Sequence, residues 1–239
     1  MTTKLFLDDA YTRDVQATVV DVTETGGVVL DQTHFYARSG GQPGDRGLMT
    51  ANGTSIAIAD TVYAPDRETI LHQLAPEGPR PGVGDTVRIG LDWDHRFGCM
   101  RMHTALHLMC ALVPFPVTGG QVGAAESRLD FDCDDPSALD KDKLTEGLNA
   151  LVSAGHPISS RWITDAELDA NPDLVRTMSV QPPRGSGRIR LVAIGEDGAV
   201  DLQPCGGTHV ASTAEIGGLQ VTKIEKKGKQ NRRVRVALV

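Results

Sequence analysis

Two pairs of metal-ligand residues that lie far apart in the chain restrict what it can fold into. His103 and His107 stand four positions apart in an apolar run without Gly or Pro, and such positions on a helix share one face. Cys205 and His209 are also four apart, in a Gly-rich run. The two pairs together form a nitrogen and sulfur ligand set of the kind that zinc prefers. The fold therefore has to bring a helix and a distant turn together.

The residue that follows the first helical histidine limits the chemistry of such a site. In metalloprotease helices a Glu follows the first His and acts as general base, but Thr104 stands at that position here. The protease mechanism is thereby excluded. Two roles remain open: a structural zinc closed by four protein ligands, or a catalytic zinc that assists an easier reaction such as hydrolysis of an activated ester. The other histidines, His34, His72, His95 and His156, have no comparable spacing and are interpreted as structural or surface residues.

Cysteine usage and the N-terminal residues predict a cytoplasmic protein that is not bound to a membrane. The chain has four Cys, which are widely scattered and form no disulfide framework. It lacks an apolar run of the roughly 20 residues that cross a bilayer. Its first residues also do not form a secretory signal.

The charge distribution indicates a local rather than a general affinity for nucleic acid. The net charge of −7 argues against indiscriminate binding. Basic residues nevertheless crowd together near the C-terminus. This run is interpreted either as a surface that contacts phosphates or as a solvated face of a hairpin. These residues are Lys223, Lys226, Lys227, Lys229, Arg232, Arg233 and Arg235.

Local patterns predict an α+β fold with two domains. Short β-branched runs between Val15 and Leu91, with an Asn-Gly turn signal at Asn52, are typical of a small N-terminal β-barrel, assigned to residues 1–92. Residues 93–239 mix helices with hairpin-connected strands, which predicts a two-layer α/β domain with an antiparallel sheet. We expect helices at 95–112 and 136–154, and a turn at 119–123. The Gly-rich segment 33–47 is long enough to be functional.

Three segments resemble a known family. Residues 101–108 resemble the R-x-H-T-A-x-H-L stretch of the alanyl-tRNA synthetase editing domain, and residues 204–210 are similar to its second metal motif. Residues 33–47 are similar to the Gly-rich loop of the same family, with Ala37 where the family favours Pro. The matches are in family order and leave no room for a synthetase catalytic domain. The chain is thus identified as a free-standing alanyl-tRNA editing protein of the AlaX type, in its medium-length form.

The resemblance implies an aminoacyl-tRNA hydrolase whose partner is tRNA(Ala) carrying a wrong amino acid, chiefly Ser and secondarily Gly. It implies Zn²⁺ held by His103, His107, Cys205 and His209. Thr33 is expected to read the serine hydroxyl, Gln121 to contact the aminoacyl end, and the backbone of Gly206 and Gly207 to steady the ester or ribose. The expected tRNA-binding residues are Arg96, Arg101, Lys226, Lys227, Lys229, Arg232 and Arg233.

Two other functions remain open from the residues alone. The chain could be a zinc hydrolase of a small ester or amide that needs no tRNA. It could also be a non-enzymatic RNA-binding module whose fold is stabilised by zinc.

Overall fold

The chain divides into two compact units, Met1–Phe97 and Gly98–Val239. The computed structural model describes residues 2–78, 80–177 and 187–239. The division between the units falls inside the first helix, whereas the sequence predicts a boundary at residues 92 and 93.

The first unit is built around a closed β-barrel. Its strands are, in chain order, β1 (Thr3–Lys4), β2 (Asp14–Val22), β3 (Gly27–Leu30), β4 (Gln32–Thr33), β5 (Gly47–Ala51), β6 (Thr54–Tyr63), β7 (Ile70–Leu74) and β8 (Thr86–Leu91). The barrel order is β2-β3-β7-β6-β5-β8, while β1 and β4 pair in parallel beside it. Asn52 and Gly53 both have positive φ in the β5–β6 turn, as their sequence predicts. Alternate residues such as Met49, Val87 and Ile89 are buried in the barrel core.

Most of the Gly-rich segment is packed within the first unit, although residues 38–41 and Arg46 are exposed. Phe35, Tyr36 and Ala37 are buried. A Cβ atom at Gly44 would lie 2.0 Å from the carbonyl oxygen of Thr61, and one at Gly47 would lie 2.1 Å from that of Gly90. These two glycines are therefore required by the close approach of neighbouring backbone.

The second unit contains most of α1 and two antiparallel sheets. Its elements are α1 (Trp93–Leu112), β9 (Val117–Gln121), β10 (Glu126–Asp132), α2 (Lys141–Ser153), β11 (Ile158–Ile163), α3 (Asp165–Asp169), β12 (Ile189–Ile194), β13 (Asp201–Pro204), β14 (Leu219–Lys226) and β15 (Asn231–Leu238). One sheet has the order β14-β15-β10-β9 and the other β11-β12-β13.

The two main helices of this unit pack in different ways. In α1, Met100, Met102 and Leu108 are fully buried although they point in different directions, so this helix lies inside the unit. In α2, only the stripe Leu144, Leu148 and Val152 is buried. This helix is shorter than predicted because it begins at Lys141, after the cap residue Asp140.

The predicted fold class is confirmed: an α+β chain in which a small β-barrel precedes a domain with antiparallel sheets. The predicted turn at 119–123 is wrong, because Gly119, Gly120 and Gln121 belong to β9 and pair with β10. Within the described residues, no helix combines the length and the apolar character needed to cross a membrane.

Candidate metal centre

The structure brings the four predicted metal-ligand residues together. One ligand atom from each of His103, His107, Cys205 and His209 lies within 4.8 Å of all the others. The Sγ atom of Cys205 is 3.6 Å from Nε2 of His103 and 3.3 Å from Nε2 of His209. The three imidazoles are buried. This cluster could hold one metal ion.

The two halves of the cluster come from differently constrained segments. His103 and His107 project from α1 one turn apart, with ring centroids separated by 5.2 Å. Cys205 follows β13 directly, and its N–H still donates to the carbonyl of Arg190 on β12. The guanidinium of Arg190 also donates to the carbonyls of Cys205 and Gly207, at 3.2 and 3.0 Å. Arg190 thereby holds the turn that carries Cys205.

Local electrostatics favour the thiolate form of Cys205. Burial by itself raises the pKa of this thiol, but the imidazoles of His103 and His209 outweigh burial and hold the pKa well below its usual range. The N–H of Gly207 also points at the sulfur, at 3.3 Å. A thiolate is the form in which cysteine binds a metal ion.

The pKa values of two of the ligand imidazoles, His107 and His209, are shifted in opposite directions. Burial lowers the pKa of His107, but hydrogen bonds and charges from Asp201 and Cys205 outweigh it and raise the pKa to about 10. Burial lowers the pKa of His209 to about 3. A ligating imidazole has to be neutral. A bound cation would therefore displace one of the two N–H protons of His107, the one on Nε2, while Nδ1 keeps the proton that faces Asp201.

The glycines of the Cys205 turn leave one side of it open. Gly206 is exposed, and among the described residues other than its two chain neighbours none has an atom within 4 Å of the position where its Cβ would be. Gly207 is buried. Gln121 is exposed at the end of β9, where its Oε1 accepts a hydrogen bond from Arg128 at 3.3 Å.

The environment of Thr33 argues against its predicted contact with substrate. Its side chain is fully buried in the first unit. Nδ1 of His72 lies 3.1 Å from the carbonyl of Val28 and therefore donates to it, which leaves Nε2 as an acceptor. The hydroxyl of Thr33 donates to that Nε2 at 2.8 Å and accepts from the N–H of Phe35. A hydroxyl that is buried and engaged in this way is not presented to a ligand.

The environment of Arg96 argues against its predicted contact with tRNA phosphates. Arg96 is fully buried and forms a salt bridge with the equally buried Asp45. It also donates to the carbonyls of Ala10, at 2.9 Å, and His34, at 2.5 Å. The guanidinium anchors the beginning of α1 to the Gly-rich segment and is out of reach of a phosphate. Arg101 is partly buried and donates to the carbonyl of Ile216 at 2.6 Å.

The C-terminal basic residues divide into two groups on the β14–β15 hairpin. Arg233 is bound in bidentate fashion by Asp130, at 2.7 and 2.8 Å. Arg235 donates to Glu225 and Glu126, at 2.8 and 3.1 Å. The residues nearest the turn remain exposed or half-buried. Among them, Lys227 lies 3.3 Å from a carboxylate oxygen of Glu225. We call Lys226, Lys227, Lys229 and Arg232 the hairpin-tip cluster.

Sequence reasoning missed three residues that contact the metal-ligand histidines or one another. Oδ2 of Asp201 lies 2.9 Å from Nδ1 of His107, and Gln203 donates to the same oxygen at 2.8 Å. The hydroxyl of Thr104 lies 3.2 Å from Nδ1 of His209. A signal was available for two of them, because Asp201 and Gln203 alternate with Cys205 along a strand and so share its face.

The chain is similar to known proteins over its whole length. Residues 189–235 match the family described as "Threonyl and Alanyl tRNA synthetase second additional domain". Residues 5–95 match "tRNA synthetases class II (A)". The chain is 32% identical over its full length to "Alanyl-tRNA editing protein AlaX-M" of Methanosarcina mazei, covering 97% of that protein. It is 34% identical to the protein of the same name from Methanosarcina barkeri, with both chains fully covered. It is also 34% identical to "Alanine--tRNA ligase" of Pyrobaculum aerophilum, where 94% of this chain matches 25% of the ligase.

Proposed function

The chain belongs to the family of alanyl-tRNA editing proteins, and from that premise we propose that it hydrolyses the ester bond of mischarged tRNA(Ala) in trans, chiefly seryl-tRNA(Ala), at a Zn²⁺ site. Glycyl-tRNA(Ala) is a second candidate substrate. The observation that carries the proposal is the convergence of His103, His107, Cys205 and His209 in a chain that matches editing proteins from end to end.

The need for such an activity follows from the limits of molecular recognition. A synthetase pocket for alanine cannot strongly reject the smaller glycine, and a pocket of this size discriminates imperfectly against the added hydroxyl of serine. A second site that hydrolyses the wrong product corrects both errors. The ester of an aminoacyl-tRNA is activated, which fits a site where Thr104 replaces the general base of metalloproteases.

The donor set supports zinc as the metal. One thiolate sulfur and three imidazole nitrogens suit Zn²⁺ better than Mg²⁺ or Ca²⁺, which prefer oxygen ligands. The low pKa of Cys205 provides the thiolate without an external base. When bound, zinc supplies a Lewis acid that polarises the ester carbonyl or orients the aminoacyl group.

The surrounding residues have distinct proposed roles in holding the substrate. The open side of the turn at Gly206 lets an ester or ribose approach the backbone closely, while Gly207 keeps its N–H on Cys205. The exposed amide of Gln121 is proposed to contact the aminoacyl end. Arg101 and the hairpin-tip cluster are proposed to bind tRNA phosphates. Thr33 and Arg96 have no part in the proposal, because both are buried and engaged.

A deacylation assay tests the proposal. The zinc-loaded protein is incubated with seryl-tRNA(Ala), glycyl-tRNA(Ala) and alanyl-tRNA(Ala), and the intact ester is followed over time. We expect the seryl ester to be lost fastest and the alanyl ester to persist. Cys205→Ser, a near-isosteric variant that replaces the soft ligand, should lose both zinc and activity.

Three outcomes, from this assay and from parallel tests with seryl-adenosine and of tRNA binding, would count against editing. Equal loss of the seryl and alanyl esters would overturn editing as the function. Hydrolysis of seryl-adenosine as fast as of the full tRNA would indicate a small-ester hydrolase. Tight tRNA binding without any deacylation would indicate a non-enzymatic RNA-binding module whose fold is stabilised by zinc.

A further inference from the structure

Each half of the metal-ligand cluster is held by a side chain from the other half. His107 belongs to α1, and its outer nitrogen Nδ1 meets Asp201 of β13. His209 belongs to the turn after β13, and its outer nitrogen Nδ1 meets Thr104 of α1. From this reciprocity we propose that Asp201 and Thr104 are positioning residues, which orient His107 and His209 for the metal ion from opposite segments. The inference rests on the proposed function only in assuming that the cluster binds zinc.

The contact of Asp201 defines both the tautomer and the direction of the His107 ring. A carboxylate only accepts, so Nδ1 of His107 carries the proton and the lone pair of Nε2 points away from Asp201. Nε2 of Gln203 also lies 3.0 Å from this Nδ1, but both nitrogens are then donors and both direct a hydrogen to Oδ2 of Asp201. Asp201 is 2% exposed, so water competes little for this hydrogen bond. A metal-ligating histidine whose other N–H is bound by a carboxylate is better oriented and more basic than a free one.

Gln203 keeps the carboxylate of Asp201 in place. Its Nε2 donates to Oδ2 of Asp201 at 2.8 Å, the same oxygen that faces His107. Oδ1 of Asp201 has no hydrogen-bond partner among the residues that the structure describes. All the described hydrogen bonds of this carboxylate therefore act through one oxygen, and an amide oxygen at that position could replace it.

Thr104 defines the tautomer of His209 by a similar argument. The single hydroxyl proton of Thr104 is donated to the carbonyl of Met100 at 2.9 Å. The oxygen can then only accept, from Nδ1–H of His209 and from the N–H of Val210 at 3.3 Å. The lone pair of Nε2 in His209 is left on the side of Cys205, 3.3 Å away. Because the hydroxyl is neutral and this contact is longer, we expect Thr104 to contribute less than Asp201.

Zinc affinity of the full chain tests the proposal independently of any reaction. Affinity is measured by competition with a chromophoric chelator, and folding by circular dichroism. Asp201→Asn keeps an acceptor oxygen and removes the charge, whereas Asp201→Leu removes both. Thr104→Val removes the hydroxyl, and Thr104→Ser restores it. The matched control is Asp130→Asn, which changes a buried carboxylate of the same unit that binds Arg233 and touches no ligand.

The expected order of zinc affinity follows from these contacts. Asp201→Leu should weaken binding by about 10- to 100-fold, and Asp201→Asn by a smaller factor. Thr104→Val should weaken it less than Asp201→Leu does, and Thr104→Ser should recover the wild-type value. Asp130→Asn should leave the affinity unchanged.

The result that would overturn the proposal is wild-type affinity in folded Asp201→Asn and Thr104→Val proteins. Should Asp201→Leu fail to fold, Asp201→Asn and the Thr104 pair still decide the question. Failure of the wild-type chain itself to bind zinc would overturn the proposed function together with this inference. Normal zinc binding with unaffected variants would overturn the inference alone.

Discussion

Burial without a countercharge sets the protonation of His72, the histidine at the centre of the hydrogen bonds around Thr33. Its side chain is fully buried, and burial lowers its pKa to about 4. It is therefore neutral near pH 7, with Nδ1 donating to Val28 and Nε2 accepting from Thr33. A protonated ring could not accept that second hydrogen bond. The barrel is thus adapted to the neutral form alone.

Because the barrel is adapted to neutral His72, we expect this one residue to make the free energy of unfolding depend on pH in the acid range. In the unfolded chain His72 titrates near its ordinary pKa of about 6.5. Its contribution to stability is fully present above that value and is lost as the pH falls through about 4. The difference in unfolding free energy between wild type and His72→Gln should therefore shrink by about 1.4 kcal/mol per pH unit within this window. Urea titrations of the metal-free proteins between these pH values measure it.

The control for this pH effect is Leu74→Ala, which destabilises the same strand β7 by opening a cavity and carries no titrating group. Its difference from wild type should not change with pH. A constant difference for His72→Gln as well would contradict the assignment.

Residues differ in how much of their role the sequence discloses. His103, His107, Cys205 and His209 could be predicted as a set, because spacing along a helix and ligand chemistry are local properties. The surroundings of Thr33 and Arg96 could not be predicted, because their burial and their partners His72 and Asp45 arise only in the folded unit. From the sequence, Thr104 showed only that the glutamate of metalloprotease helices is absent at this position. Its contact with His209 crosses the chain and required the structure.

At the scale of elements, the strand β9 shows why a glycine pair can mislead. Gly119 and Gly120 suggest a turn, but β9 pairs with β10 through both residues. A Cβ atom at Gly120 would lie 2.9 Å from a methyl carbon of Leu129 on β10. The glycine marks a close approach within a sheet, which strand pairing decides and the local sequence does not. In contrast, the Asn52–Gly53 turn was predictable because its backbone requirement is local.

The β14–β15 hairpin yields a prediction that separates its two groups of basic residues. Lys229 and Lys226 of the hairpin-tip cluster are exposed, whereas Arg233 is engaged by Asp130. Each phosphate contact that is removed should lower the slope of log affinity for tRNA(Ala) against log salt by roughly one. Lys226→Gln and Lys229→Gln should therefore each flatten the slope. Titrations with labelled tRNA over a range of salt concentrations measure this.

Arg233→Gln serves as the internal comparison for the hairpin. It should leave the salt slope unchanged and lower the unfolding midpoint, because buried Asp130 loses its bidentate partner. A flattened slope in Arg233→Gln, or an unchanged slope in both lysine variants, would place the phosphate contacts elsewhere.

For the whole molecule, the metal-ligand cluster is a constraint on one of the two units. All four of its ligands lie in the unit Gly98–Val239, where they join α1 to a turn far along the chain. A bound ion that recognises only the folded arrangement adds its binding free energy to folding. The barrel of the first unit contributes no ligand and has its own apolar core around Leu30, Phe35 and Ile58. Loss of the ion should therefore destabilise the unit Gly98–Val239 more than the barrel of the first unit.

Hydrogen exchange of the full chain with and without a zinc chelator tests this inequality. We expect amides in residues 98–112 and 201–210 to lose protection when zinc is removed, since opening there no longer has to break metal bonds. Amides of the barrel strands β2, β5 and β8 should exchange as before, and added zinc should restore the original pattern. Asp201→Asn should show an intermediate loss at the same zinc concentration if its effect is on zinc affinity. Equal loss of protection in both units would mean that the ion stabilises the chain as a whole, and no loss in either would mean that the cluster is already rigid without it.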